Sequence, residues 1–408
     1  MKISVNIKEI KSATYLDWAW IIYLTVMFAV PSIPMVQTIM PLMLIVATVI
    51  YIINNKGTVK KSIIGKYMVW YTILILYVMA SKMWQAYEYD TPIFDVEFRL
   101  YPVLLCLGVY LDSGKRVEKF IKYYVFAITM MAISAIITSP LGTWGTTQFR
   151  GLTGLHRNSI GYYMVFICYA ALLWYNKEKK YCYLLSSIIC VIVGLITGSR
   201  KVIIAMFIIV FLHTLLQKNI NTVLKKAIIV VMVGLCVISV ISSTSWFGEI
   251  YGDRLYAIFN GNEIDDNSII GRQILNANAM ELFYQHPIFG GGVDAERALN
   301  AMRYFEAPAH NNYAYMLGDF GLIGATWYYF PFLYCLFSIF KMWKSDKSDV
   351  EIKYLMIALI LILILDFSGG YCFTLRGDIM YAWMYALFVV KRKSKKKAAV
   401  KQEGRYGY

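Results

Sequence analysis

The residues of this 408-residue chain that could do chemistry are four histidines, twelve arginines and a few isolated acids. His310 stands in Ala309-His-Asn-Asn-Tyr313, where a polar segment runs into a long apolar one. An imidazole titrates near about 6.5, so at a membrane boundary His310 suits a general base. It equally suits a helix cap bonded to backbone, and its position alone leaves both readings open. Asn311 stands beside it. Arg200 lies in Thr197-Gly-Ser-Arg-Lys201, Arg272 leads Gly271-Arg-Gln-Ile274, and Arg303 follows thirty-one residues later. Arg150, His156 and Arg157 flank a glycine-rich stretch, Gly151-Leu-Thr-Gly154. A guanidinium is a planar fork that grips phosphate or carboxylate with two hydrogen bonds. These types therefore offer anion binding beside a proton acceptor. Asp319 and Asp366 sit within or at the end of apolar runs, where an acid either serves a site or pairs with an arginine such as Arg200 or Arg376. His213 reads as interfacial filler and His286, before a proline, as structural.

Other chemistries lack their residues. No His/Cys cluster has metal-ligand spacing, and Asp265-Asp266 has no supporting neighbours, so no metal and no cofactor is expected. There is no nucleotide-binding loop and no nucleophile elbow. The seven cysteines lie in or beside apolar runs with no CxxC, and read as small hydrophobes.

These residues are set in an apolar chain. Hydrophobic residues make up 59% and charged residues 16%, against roughly 45–50% and 25% in a soluble domain. The pattern predicts an all-α polytopic membrane protein with about twelve transmembrane helices in one domain, 1–408. The spans fall near 15–30, 36–53, 63–80, 98–111, 120–138, 160–175, 181–197, 202–216, 227–242, 312–340, 354–368 and 375–390. The first is read as an uncleaved helix rather than a signal peptide, with Pro31, Pro34 and Pro41 supplying a turn and the next helix start.

Loop charge orients the spans. With both termini cytoplasmic, 29 basic residues fall on the cytoplasmic side and 11 on the other, as the positive-inside rule requires. The net charge of +15 is then topological, the tail Lys391–Lys397 is a juxtamembrane anchor at anionic lipid, and nucleic acid is not a partner. Nine of the twelve arginines lie on the translocated side, whereas the cytoplasmic charges are nearly all lysine. Topology needs only charge, so this selection of arginine points to an anionic ligand outside. Surface salt bridges are the competing account.

The longest extracytoplasmic loop, 243–311, is expected to cap the site. Within it Ser268 to Gln285 reads as an amphipathic helix at the membrane interface, capped by Ser268. Its mixed face is Ile269, Ile270, Gln273, Ile274, Ala277, Met280, Glu281, Phe283 and Tyr284, and Gly290-Gly291-Gly292 follows as a break or hinge.

Four places resemble the O-antigen ligase and polysaccharide polymerase (Wzy-like) superfamily: TGSRK at 197–201, GRQILNANAMELFYQHPIFGGG at 271–292, HNNYAYMLGDFGLIG at 310–324 and GLTGLHRNSIG at 151–161. The resemblance implies a GT-C-like fold in the bacterial inner membrane with an extracytoplasmic active site. It implies metal-independent glycosyl transfer from an undecaprenyl-diphosphate-linked glycan donor to a glycan acceptor, with a chain-length regulator protein as partner. Arg200 and Arg272 match the diphosphate-binding arginines and His310 the base. Arg150, Arg157 and Arg303 are secondary contacts, with Asp319, Asn311 and His156 in support. Polymerase and ligase share the donor and differ in the acceptor, and no motif here separates them. A twelve-span transporter or lipid-sugar flippase is the reading from another class; charges gathered in loops and the lack of an internal repeat speak against it.

Overall fold

The computed structural model describes residues 14–89, 92–146, 148–215, 267–367, 369 and 375–403. Among them the chain is all-helical. Eleven of the twelve predicted spans coincide with helices, and the twelfth, 227–242, lies outside the described residues. Pro34–Asn54, Gly114–Thr138 and Asn312–Ser345 are long and apolar enough to cross a membrane by length and composition. Leu42, Val46, Val49 and Ile53 stand exposed along the first of these. Such a stripe would be unfavourable in water and is at home in lipid. The protein is an integral membrane protein.

The chain forms two compact units. The first comprises residues 1–65 and 101–199. It contains α1 (Tyr15–Ala29), α2 (Pro34–Asn54), α5 (Gly114–Thr138), α6 (Arg157–Glu178) and α7 (Tyr181–Ile196). Pro34 occupies the first turn of α2, where its missing N–H is no loss. α1 starts with a capping box in which Thr14 and Asp17 satisfy each other's backbone. Asp17 is buried there, and it accepts from the Tyr110 hydroxyl at 2.5 Å and from Lys119 at 3.4 Å. α1 packs on α5 and α2 around Trp20, Phe28, Phe120 and Tyr124. α6 and α7 form a hairpin through Lys179.

The second unit comprises residues 66–100 and 200–408. It contains α3 (Gly65–Ser81), α8 (Arg200–Leu215), α9 (Asn267–Gln285), α10 (Ala295–Arg303), α11 (Asn312–Ser345), α12 (Val350–Leu365) and α13 (Leu375–Glu403). α4 (Pro92–Tyr110) runs through the boundary between the two residue ranges. α12 is apolar round most of its surface and buried from Ile352 to Leu359, packed by α8, α11 and α13. α11 is broken at Gly321, whose φ of 63° is left-handed, so two half-helices meet there.

Candidate functional site

The segment 267–324 folds as a clasp around the break in α11. After α9 the chain turns at His286-Pro287, and the strip 287–292 runs alongside residues 318–323. Gly291 N–H donates to the Gly318 carbonyl and Gly292 N–H to the Asp319 carbonyl, both at 2.8 Å. In return Leu322 N–H donates to the Pro287 carbonyl at 2.9 Å and Ile323 N–H to the Ile288 carbonyl at 3.2 Å. The positive φ at Gly321 frees these amides from the helix ladder, and the strip satisfies them. The Tyr77 hydroxyl lies within hydrogen-bond reach of the carbonyls of Phe320 (2.9 Å) and Phe289 (3.2 Å). The three glycines are expected from sequence to be a break or hinge. They form the break between α9 and α10, and these backbone bonds hold it where a Cβ would find no room.

α9 is helical where a helix is expected, from Asn267 instead of Ser268, but its apolar residues are spread round it instead of gathered on one face; the side chains of 267–269 lie outside the described residues, and with them the Ser268 cap. The face it buries is Leu275, Asn278, Ala279 and Leu282, whereas Ile270, Gln273, Ala277 and Tyr284 are exposed. The burying face differs from the mixed face read from sequence because small residues decide it. A Cβ on Gly318 would sit 2.7 Å from the Ala279 carbonyl oxygen, so α9 and α11 approach backbone to backbone.

Behind the strip lies a buried acid cluster that sequence reading missed. Glu296, on α10, is wholly buried; its carboxylate accepts from Ala309 N–H at 2.8 Å and from the Asn300 amide at 3.1 Å. Its own N–H donates to Asp319 Oδ1 at 2.9 Å. Asp319 Oδ2 and Asp294 Oδ2 are buried and accept no hydrogen bond from the described residues. Burial pushes the Glu296 carboxyl up to about 8, with the Asp294 charge adding to the shift and the Ala309 N–H opposing it. Burial likewise raises Asp294, against the pull of Arg297 and Lys82. The one sequence cue was an acid pair, Asp294 and Glu296, directly after the glycines. Through Ala309, Glu296 fixes the backbone immediately before His310.

The His310-Asn311-Asn312 triplet divides its roles. His310 is exposed. Asn311 is the cap of α11, its side chain accepting from Tyr313 and Ala314 N–H at 3.0 and 3.3 Å. Asn312 is buried and anchors the helix to α12: its N–H donates to the Asp366 carbonyl at 2.8 Å and its amide to Asp366 Oδ2 at 3.1 Å, with the Tyr329 hydroxyl completing the group. Asp366 is thus held by an asparagine and a tyrosine. The side chain of Arg376, one of the two arginines considered for it, lies outside the described residues.

The arginines fall into different settings. In the second unit Arg200 is the first residue of α8, and its side chain lies outside the described residues. Its neighbour Lys201 lies close enough to Arg272, at the start of α9, for the two positive charges to act on each other. Arg303 is engaged: its fork grips Glu281 at 2.6 and 2.9 Å and it also donates to Asn278 at 3.0 Å. In the first unit Arg150 is exposed, and His156 caps α6 by accepting from Asn158 N–H at 3.3 Å. Arg157 donates to the Gly145 carbonyl at 2.8 Å, and Gly145 N–H donates to the Ile196 carbonyl at 2.8 Å. These bonds join Arg157, at the start of α6, through Gly145 to the end of α7 at Ile196.

No curated protein matches the chain in sequence. Residues 185–329, which hold three of the four resembling motifs together with the clasp, match the family model described as O-antigen ligase, and this match supports the chain's place in the O-antigen ligase and Wzy-like superfamily of membrane glycosyltransferase-like enzymes.

Proposed function

We propose that the protein polymerises undecaprenyl-diphosphate-linked oligosaccharide repeats on the extracytoplasmic face of a bacterial inner membrane, in a GT-C-like frame of twelve spans with both termini cytoplasmic. The feature that supports the reading is that Lys201, at the start of α8, lies within electrostatic reach of Arg272, near the start of α9. Like charges held together from distant segments favour an anion between them, and a diphosphate supplies it. His310, exposed one residue before the α11 cap, is the base. The acceptor hydroxyl oxygen forms the new bond to the donor's anomeric carbon, its proton passes to the His310 imidazole, and the bond to diphosphate breaks. Arg200 and Arg272 hold the charge that develops on the departing undecaprenyl diphosphate. Arg150, Arg157 and Arg303 are secondary contacts, with Asn311, Asp319 and His156 positioning the site. A chain-length regulator would act beside it.

Purified protein given only lipid-linked repeats should produce a ladder of lengthening products. The description of the matching family favours a second reading, transfer of finished polysaccharide to a different acceptor. Product that appears only after a distinct acceptor is added selects that reading, and movement of lipid-linked sugar across a bilayer without any new glycosidic bond defeats both.

A further inference from the structure

The second unit holds a cavity of about 510 Å³ between α3, α11 and α13. Lys66 enters it from α3, and Arg392, Lys393 and Lys396 from α13. Its walls are aromatic, with Trp70 on α3, Phe330 and Tyr334 on α11, and Tyr385 and Phe388 on α13. The described residues that line it include no acid. A much smaller apolar void of about 20 Å³ shares Tyr67, Pro331, Tyr385 and Phe388 with it.

α13 sorts its basic residues by face. Lys391 and Lys395, one turn apart, are paired with Asp349, Glu351 and Asp346. On the cavity side, Lys66, Lys393 and Lys396 form no ion pair with another described residue. Arg392 donates to the Tyr334 hydroxyl, and its guanidinium lies 5.7 Å from the centre of that ring, which fixes it in the cavity. Four cations are therefore gathered over aromatic and apolar walls with no counter-charge supplied by the lining.

The level in the membrane follows from α13, whose apolar stretch ends at Val390 and whose basic run begins at Lys391. Basic runs gather at the cytoplasmic boundary, and Arg392, Lys393 and Lys396 of the cavity belong to this run. At that depth a phosphate meets the cations while the acyl chains lie against the exposed aromatic wall at Phe330 and Tyr334. A soluble phosphate would leave the aromatic walls in water, and a zwitterionic headgroup would bring a further cation to a place that already holds four.

We propose that this cavity is a binding site for an anionic phospholipid, its phosphate held among Lys66, Arg392, Lys393 and Lys396 and its acyl chains laid against the aromatic wall at Phe330 and Tyr334. The site is independent of the transfer chemistry.

The full chain in detergent, titrated with phosphatidylglycerol or phosphatidylcholine and read by native mass spectrometry, should take phosphatidylglycerol at least ~tenfold more tightly. Replacing Arg392→Gln, Lys393→Gln and Lys396→Gln together should weaken that binding by about tenfold or more, because each cation near anionic lipid contributes roughly fivefold. Val389→Trp, which fills the cavity and keeps every charge, should weaken it comparably. The two variants act through charge and through volume, so if one fails to fold the other decides. Lys391→Gln with Lys395→Gln takes two charges from the paired side of the same helix and should leave binding unchanged. Equal loss in this control, full binding in either test variant, or no preference for phosphatidylglycerol overturns the site. Displacement of the lipid by millimolar inorganic phosphate assigns it to a soluble phosphate and overturns the lipid.

Discussion

The backbone N–H of Glu296 donates to Asp319 Oδ1 at 2.9 Å, tying the start of α10 to the broken middle of α11. One buried carboxylate is thereby used to position another, and Glu296 in turn receives the N–H of Ala309 beside His310. The clasp, the acid cluster and the candidate base form one mechanical unit.

That unit is expected to feel pH. The Glu296 carboxyl is raised from its ordinary 4.5 to about 8 by burial. The folded state then holds a proton that the unfolded chain has released, so stability falls as pH rises from about 4.5 to about 8, by at most ~1.4 kcal/mol per pH unit for one group. Asp294, also raised, acts in the same direction. Thermal unfolding in detergent across that range should show the decline. Glu296→Gln should flatten it, although the amide gives up the Asn300 hydrogen bond.

Gly290→Ala should be severe. The residue has φ of 74°, and a Cβ there would overlap the Asp319 carbonyl. A loss of at least about 2 kcal/mol is expected, read as a lower melting temperature and faster proteolysis between α9 and α10. Gly142→Ala, where a Cβ meets open space, should stay within ~0.5 kcal/mol of the parent.

The two asparagines after His310 should differ. Asn312→Ala strips a partner from buried Asp366 and should cost about 1–3 kcal/mol. Asn311→Ala removes a helix cap and should cost ~1 kcal/mol. Paired unfolding curves give the order, and a larger effect at Asn311 would contradict the anchoring role of Asn312.

Among the arginines, Arg272→Ala should lower transfer by ~10²-fold or more if it holds the leaving group. Arg303→Ala should lower it only a few-fold, because that fork already grips Glu281. Initial rates with a lipid-linked donor, compared at two salt concentrations, separate a ligand contact from a surface ion pair.

His310→Ala should reduce the rate by about 10²–10⁴-fold with donor binding retained. The pH–rate profile is the sharper reading: a general base gives an acidic limb that vanishes in the variant, whereas a residue that only positions its neighbours lowers the rate at every pH.

Much of this was open to reading along the chain. Apolar runs such as Val36 to Ile53 announce helices, because spanning hydrocarbon demands length and local hydrogen bonding. Arg272 and His310 stood out because a fork or an imidazole beside apolar sequence is unusual. The packing face of α9 was not legible. Ala279 and Asn278 carry no hydrophobic signal, and they face inward because Gly318, forty residues away, allows the helices to touch.

The sequence by itself determined which stretches are helical, where charge and imidazole are placed, and the family to which 185–329 is similar. Tertiary structure alone decided what those residues meet. It made a clasp of the Gly290–Gly292 expected as a break or hinge, buried Glu296 behind it, gave Asn311 and Asn312 separate tasks, and engaged Arg303 with Glu281. The physical reason is range. Helix formation is satisfied within a few residues, whereas burial, desolvation and the partner of a hydrogen bond are set by segments the chain brings together only on folding.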